Sequence, residues 1–468
     1  MNYKTHLNHI IKFCFAIFFF SILFIGCSKK DSNGGGTTPL PPPPAPPPSK
    51  EVTTPSPEVF MQAFYWDVEP RGGWWDLLDT KLDAWKTAGI TAIWLPVISK
   101  GQSGAFSMGY DPYDYFDSGQ YNQMGTVETR FGSASELTSL ITNAKAKGFK
   151  LIADIVINHN SGGDLEFSPY SGKSYYTKFN PLSGKFNRSY EDFHPSGVDT
   201  KDEDIFGGFP DLCHNVNNVK DWLWKRADGV GKYYKNTLGF DGWRFDFVKG
   251  FSPNVVKDWN AEVGGAFSIG EYFDGNVTLV NKWCSDANSG AFDFPLYFAM
   301  KDAFFFGNML ALDGKGLIAI NPSRAYTFVS NHDIERDPGN MNAVAKLKAY
   351  AYILTAEGTP FIFYTDYESI LDKAKLNILI NIKKTLAAGT TTKLYGSATE
   401  YIIRRNGTPG LVAYFNNGST AEQRKIQTVW ANTVLKDYTG AHPDVTTDAS
   451  GYATISCKEY SYSVYSKK

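Results

Sequence analysis

From residue 59 onward, short β-rich runs of apolar residues alternate with stretches of helical periodicity. The β-rich runs fall at 59–65, 91–97, 151–158, 239–247, 266–271, 291–295, 325–331 and 361–364, each of strand length and set off by turn-forming residues. Helical patterns occupy 75–88, 135–146, 219–238, 253–263, 341–355 and 370–387, and several close on a glycine, Gly89, Gly148 or Gly239, as a helix C-terminus prefers. Eight strands alternating with helices predict a parallel sheet closed into a (β/α)8 barrel. An open, doubly wound sheet is the alternative, but no Gly-x-Gly-x-x-Gly opens the first helix, which argues against its dinucleotide-binding form.

Two stretches leave this rhythm. Between the third strand and the helix near Val219 lie about 60 residues rich in Gly, Ser, Asp, Tyr and Phe with no helical period, far longer than an ordinary connection. They predict a small inserted domain over 159–217, dividing the barrel into 58–158 and 218–388. Beyond 388 the period becomes that of strands, at 401–405, 411–415, 427–430, 434–438, 452–455 and 461–465, which predicts an antiparallel sandwich over 389–468.

The N-terminus is of another kind. Lys4 and Lys12 precede an apolar run from Phe13 to Ile25, followed by Gly26-Cys27. This resembles a bacterial lipoprotein signal, with Phe24 where such signals usually carry Leu, and the run falls short of the ~20 residues a membrane span needs. The expectation is a signal peptide over 1–26, a lipid on Cys27 and export to a bacterial membrane, on its periplasmic face or the cell surface. Residues 27–57, Gly-rich and then Pro-rich, form no core and read as an extended spacer.

Composition narrows the partner. A formal charge of −2 provides no field for nucleic acid, while 34 Phe, 27 Tyr and 11 Trp exceed what a core usually takes and suit the apolar faces of sugars. Three cysteines remain in the folded part, Cys213, Cys284 and Cys457, too few and too scattered for a disulfide framework. A monomer is expected.

The candidate chemistry collects at strand ends, where a barrel of this type builds its site. Along 241–250, alternation puts Arg244 and Asp246 on one face and Trp243, Phe245 and Phe247 on the other. Such a pair is either a structural ion pair or a site. The third strand ends in Asp154, Asn158 and His159, the fifth in Glu271 and the seventh in His332 and Asp333. That concentration favours a site, with Asp154, deeper in its strand, as a buried support.

Four segments, Asp154-Ile-Val-Ile-Asn-His159, Gly242-Trp-Arg-Phe-Asp-Phe-Val-Lys249, Gly270-Glu-Tyr272 and Phe328-Val-Ser-Asn-His-Asp333, resemble in order the four signature regions of the α-amylase family of glycoside hydrolases. Gly89 to Pro96, Gly207 to Leu212 and Gly358 to Tyr364 resemble its supporting motifs, with an archaeal and plant-type flavour. The resemblance implies a (β/α)8 barrel, a calcium-binding insert after strand 3 and a C-terminal β-sandwich. It also implies a retaining, endo-acting α-1,4-glucan hydrolase on starch and maltooligosaccharides. Asp246 would be the nucleophile, Glu271 the general acid and Asp333 the third carboxylate. Tyr110, His159, Arg244, Lys249 and His332 would bind substrate, and Asn158, Asp202, Asp204, Asp211 and the Gly250 carbonyl would bind Ca2+. The two catalytic carboxyls need opposite environments, with Arg244 holding Asp246 ionised.

Other readings remain open at this point. His194, Asp199, Cys213 and His214 carry donors that would suit a second, softer metal such as Zn2+, although no metal-ligand spacing joins them. A glucanotransferase or an α-1,6- or oligosaccharide-specific enzyme would use the same carboxylates. An inactive starch-binding lipoprotein is the alternative from another class.

Overall fold

The computed structural model describes residues 55–201 and 206–468. The leader, the spacer and Cys27 lie outside the described residues, as do Asp202 and Asp204. Eight parallel strands close into a barrel: β1 (Phe60–Gln62), β2 (Ala92–Trp94), β3 (Lys150–Ile155), β4 (Gly242–Phe245), β5 (Phe267–Gly270), β6 (Gly290–Phe292), β7 (Ala325–Thr327) and β8 (Thr359–Phe363), each paired with its neighbours in sequence and β8 with β1. All eight expected strands are present and the open sheet is excluded. Register matters most at β3 to β5, where Asp154 pairs with Arg244 and Phe245 with Gly270, so Asp246 and Glu271 leave their strands side by side.

Helices cover the barrel with the faces that their apolar periods define. Helix α1 (Trp74–Ala88) buries Trp74, Trp75, Leu78, Leu82 and Trp85, and Gly89 ends it in the left-handed conformation. Helix α2 (Ala134–Ala146) opens on a capping box between Ser133 and Glu136. The helix expected over 219–238 is interrupted: one segment runs from Asn217 to Lys225, the chain turns at 226–229, and helix resumes at Val230. Asp228-Gly229 is a strong turn signal, and Gly231 lets the second segment approach Trp259 so closely that a Cβ would lie 2.8 Å from its ring. The strand expected to reach 295 stops at Phe292, because Asp293 accepts the Leu296 N–H and Pro295 stands in the first turn of a helix, Phe294–Met300.

The inserted segment contributes a two-stranded hairpin, Asp164–Ser168 with Lys173–Lys178. Its two ends meet again at the barrel rim: the Leu212 N–H donates to the Asn158 carbonyl at 2.9 Å, and His159 bridges to Asp211.

After the barrel come β9 (Thr391–Gly396), β10 (Glu400–Arg405), β11 (Leu411–Asn416), β12 (Glu422–Gln427), β13 (Val434–Asp437), β14 (Val445–Thr446), β15 (Tyr452–Cys457) and β16 (Ser461–Lys467). Six of them form one antiparallel sheet, and β12 with β15 forms a second. Ile402, Val412, Tyr414 and Tyr465 of the first sheet pack against Ile426, Ile455 and Cys457 of the second, while the alternate residues Tyr401, Ile403, Ala413 and Val464 join the barrel core. The strand expected at 427–430 lies earlier, at Glu422–Gln427. Only Ile426 of that strand is buried, so hydrophobicity hardly marks it. Among the described residues all three cysteines are buried and free, and no helix is long and apolar enough to cross a membrane.

Candidate active site

Arg244 organises the rim. The residue is 1% exposed. Its Nη1 reaches Asp154 Oδ1 and Asp246 Oδ1, each at 2.7 Å, and its Nη2 reaches Glu271 Oε2 at 2.9 Å. One guanidinium therefore faces three carboxyls in a site from which water is largely excluded. Asp154 is the deepest of them, and its other oxygen accepts the Tyr110 hydroxyl at 2.8 Å and the Trp94 indole N–H at 3.2 Å. With three donors on its two oxygens Asp154 is held in place as the buried support that its depth in β3 suggested.

A single positive charge cannot offset three buried negative ones, so the cluster must hold protons. Burial raises the Asp246 carboxyl to about 6, against the opposing pull of Arg244. Burial raises Glu271 further, to about 8, again against Arg244, with the Asp246 charge adding to the rise. Arg244 favours the ionised form of Asp246, as expected, but desolvation is the larger effect and the two carboxyls share one environment rather than opposite ones. What separates the two groups is unequal elevation within one environment, and near neutral pH it leaves Asp246 ionised and Glu271 protonated.

The two histidines are neutral. Burial lowers both to about 4. The Gln62 amide donates to His332 Nδ1 at 2.9 Å, which puts the ring proton on Nε2, 3.4 Å from Asp333 Oδ2. His159 Nε2 donates to the Tyr110 carbonyl at 3.0 Å. Asp333 is the exposed member, its side chain 52% accessible, and its negative charge raises both Asp246 and Glu271. Lys249 stands apart, paired with Asp274 at 3.1 Å and lying over the Tyr272 ring.

Ring contacts add residues that the linear pattern did not disclose. Trp66, Tyr110 and His332 lie nearly parallel and stacked, with centroids 5.2 to 6.3 Å apart, and the Arg336 guanidinium lies 4.5 Å from Trp66. Phe206 and Phe209 stack on His159 at 4.5 and 5.1 Å. Nothing in the local sequence distinguishes Trp66 or Phe206 from core aromatics.

Among the described metal candidates, Asn158 Oδ1 is a buried acceptor without a hydrogen-bond partner, and it lies against Gly250, where a Cβ would come within 2.0 Å of it. An orphaned hard oxygen of this kind fits a hard cation. Asp211 lies beside it through the His159 bridge and pairs with His194 Nδ1 at 3.0 Å. The softer site is not assembled. The His214 ring faces the Ile157 carbonyl at 2.9 Å, Asp199 accepts from Asn215, and no three His, Cys, Asp or Glu gather for a metal among the described residues.

A family profile described as "Alpha amylase, catalytic domain" matches residues 28–383. The chain belongs to the α-amylase family of glycoside hydrolases. A second profile, "Alpha-amylase C-terminal", matches residues 411–466 of the same family member. The chain is similar to a glucan 1,4-alpha-maltohexaosidase of Bacillus sp. (strain 707), 27% identical over 498 residues that cover 87% of this chain and 92% of that one. An alpha-amylase of Geobacillus stearothermophilus is 29% identical over 488 residues, covering 89% and 88% of the two chains. The fold matches the crystal structure of an alpha-amylase from Geobacillus thermoleovorans complexed with acarbose, with a TM-score of 0.67 and 21% identity over 90% of this chain and 99% of that one.

Proposed function

We propose that this α-amylase family member hydrolyses internal α-1,4 bonds of starch and maltooligosaccharides with retention at the anomeric carbon. The observation that carries the reading is the pair of buried carboxyls on one guanidinium, Asp246 raised to about 6 and Glu271 to about 8. Glu271 delivers its proton to the leaving oxygen while an Asp246 oxygen attacks the anomeric carbon, forming a covalent glycosyl-enzyme as the glycosidic bond breaks. The Glu271 carboxylate then takes a proton from water, whose oxygen attacks the same carbon and releases Asp246. Two inversions restore the configuration. Asp333 and the neutral His332 and His159 hydrogen-bond the sugar at the cleaved position. Tyr110 with Trp66 underlies the ring, and Lys249 reaches the leaving-group side.

Asn158, Asp211, the Gly250 carbonyl and the acidic residues Asp202 and Asp204 would hold Ca2+, supported by the orphaned Asn158 oxygen against Gly250. Bound there, the ion supplies order to the segment that returns to the rim. The protein acts as a monomer and is tethered to a bacterial membrane through a lipid on Cys27, the tether being supported by the leader sequence alone. Cys27→Ser would release it from the detergent phase in a Triton X-114 partition, and continued partition into detergent would refute the tether.

Product analysis on amylose and pullulan side by side tests the activity. The expected result is a ladder of α-configured maltooligosaccharides from amylose and little release from pullulan. Chain-transfer products from maltoheptaose, or preferential cleavage of pullulan, would replace hydrolysis of α-1,4 bonds with one of the alternative activities.

A further inference from the structure

Phe247, the residue directly after Asp246, adopts φ 45°, a left-handed conformation that an aromatic residue avoids because its Cβ crowds the following carbonyl. Such an outlier persists only where the surroundings over-determine it, and it points towards function. Three contacts hold it. The Phe247 N–H donates to Glu271 Oε2 at 3.1 Å. Its ring meets Phe206 edge-on, with centroids 5.3 Å apart and planes at 72°, and Phe206 is stacked in turn on His159. The ring also packs against Gly250, where a Cβ would fall 2.7 Å from Phe247 Cδ1. Any larger residue at 250 would push the ring out.

The contacts at Glu271 are lopsided. Both the Phe247 N–H and Arg244 Nη2 engage Oε2. An oxygen that already accepts two donors has little capacity left for a proton, so the proton of the neutral acid resides on Oε1. We propose that Phe247 is a positioning residue for the acid: its ring, held by its contacts with Phe206 and Gly250, keeps the turn left-handed so that its N–H occupies Oε2 and leaves Oε1 to exchange the proton. The inference rests on Glu271 as the general acid. The charged groups that act on Glu271 are Arg244, Asp246, Asp333 and Asp154, and the first three lie on the same rim. The N–H is a neutral donor that favours the ionised form, which is the form Glu271 takes after giving up its proton.

The test compares Phe247→Ala with Phe247→Gly. Alanine keeps the cost of a positive φ without the ring that enforces it, so the turn relaxes and the N–H leaves Oε2. The expected result is a roughly 10-fold lower kcat with KM within about twofold, and an alkaline limb of kcat/KM displaced to higher pH because a donor to the carboxylate has gone. Glycine adopts positive φ freely and should recover most of kcat and restore the limb, although both variants lose the ring and melt lower. Phe206→Ala should follow Phe247→Ala. A ring of merely structural value would leave glycine no better than alanine, and that result, or an unmoved alkaline limb in Phe247→Ala, overturns the proposal. Glu271→Gln is the reference: if it kept releasing reducing sugar, the assignment of the acid would itself fall, and the role of Phe247 with it.

Discussion

Two buried cations show opposite solutions to the same problem. Arg405 on β10 is 4% exposed and donates only to main-chain carbonyls, those of Gly389, Thr355 and Ala356, while buried Lys383 beside it donates to Ala356 and Gly358. Burial lowers Arg405 to about 10 and pushes Lys383 well below the usual lysine range, so this cluster is short of negative charge and its anions are replaced by dipoles. Arg244, equally buried, is held well above its ordinary value by Asp154, Glu271 and Asp246. The first cluster fastens the C-terminal sheet to the barrel and has each of its donor nitrogens engaged by a fixed acceptor. The second carries more acid than its one cation can balance, which costs stability and is explained only by proton chemistry. Excess of titratable charge, more than burial or pairing, is what distinguishes site from scaffold in this molecule.

The largest expected effect lies at the acid-rich cluster. Glu271→Gln should lower kcat on amylose by about 1,000-fold without lowering the melting temperature, since it removes a group that folding leaves poorly solvated. The pH dependence of that comparison is fixed in sign. Glu271 has a folded value raised to about 8 from an ordinary 4.5, so its contribution to stability is fully present below the unfolded value and is lost as pH rises through the folded one. The variant should therefore gain on the wild type in melting temperature between pH 5 and 9, and the opposite trend would contradict the raised value of Glu271.

Arg405→Met should behave in the opposite way, costing about 3 kcal/mol in urea unfolding as buried carbonyls lose their donor, with kcat per folded molecule unchanged. A loss of kcat without a loss of stability would show that the junction is part of the catalytic device. Smaller still is the metal effect. EDTA should lower the wild-type melting temperature by roughly 5 °C, and Asn158→Ala should abolish that response by removing the orphaned oxygen. The finest test is the pH profile of kcat/KM on a soluble maltooligosaccharide, which should fall below about 6, as Asp246 is protonated, and above about 8, as Glu271 ionises. Limbs in the ordinary carboxylate range would mean that burial does not govern the pair.

The barrel was legible because each of its strands is a compact apolar run, and the alternation of Arg244 with Phe245 and Asp246 already put both charges on one face. Partnerships across the rim were legible only as candidates. That Asp246 and Glu271 share one guanidinium depends on the β4 to β5 register, and the unequal elevation of the two depends on which charges and donors face each, which composition does not record. Trp66 and Phe206 were not legible at all, and Phe209 only as part of a motif, since what marks them is a ring in contact many residues away. Strand β12 escaped for the converse reason: Glu422–Gln427 has water on one face and a single buried side chain, so a polar run conceals a strand. The helix expected over 219–238 failed where Asp228-Gly229 outweighed the apolar period on either side.

The inserted segment leaves the rim at Asn158 and His159 and returns to them at Asp211 and Leu212. An excursion that ends where it began imposes no fixed length on what lies between. Because doubling such a loop costs only about 0.6 kcal/mol in closure entropy, the hairpin within it can be trimmed, lengthened or exchanged for a foreign module while the rim stays in place. The protein thus carries a natural grafting point: a place where a new appendage could be brought to the mouth of the barrel without re-engineering the barrel itself.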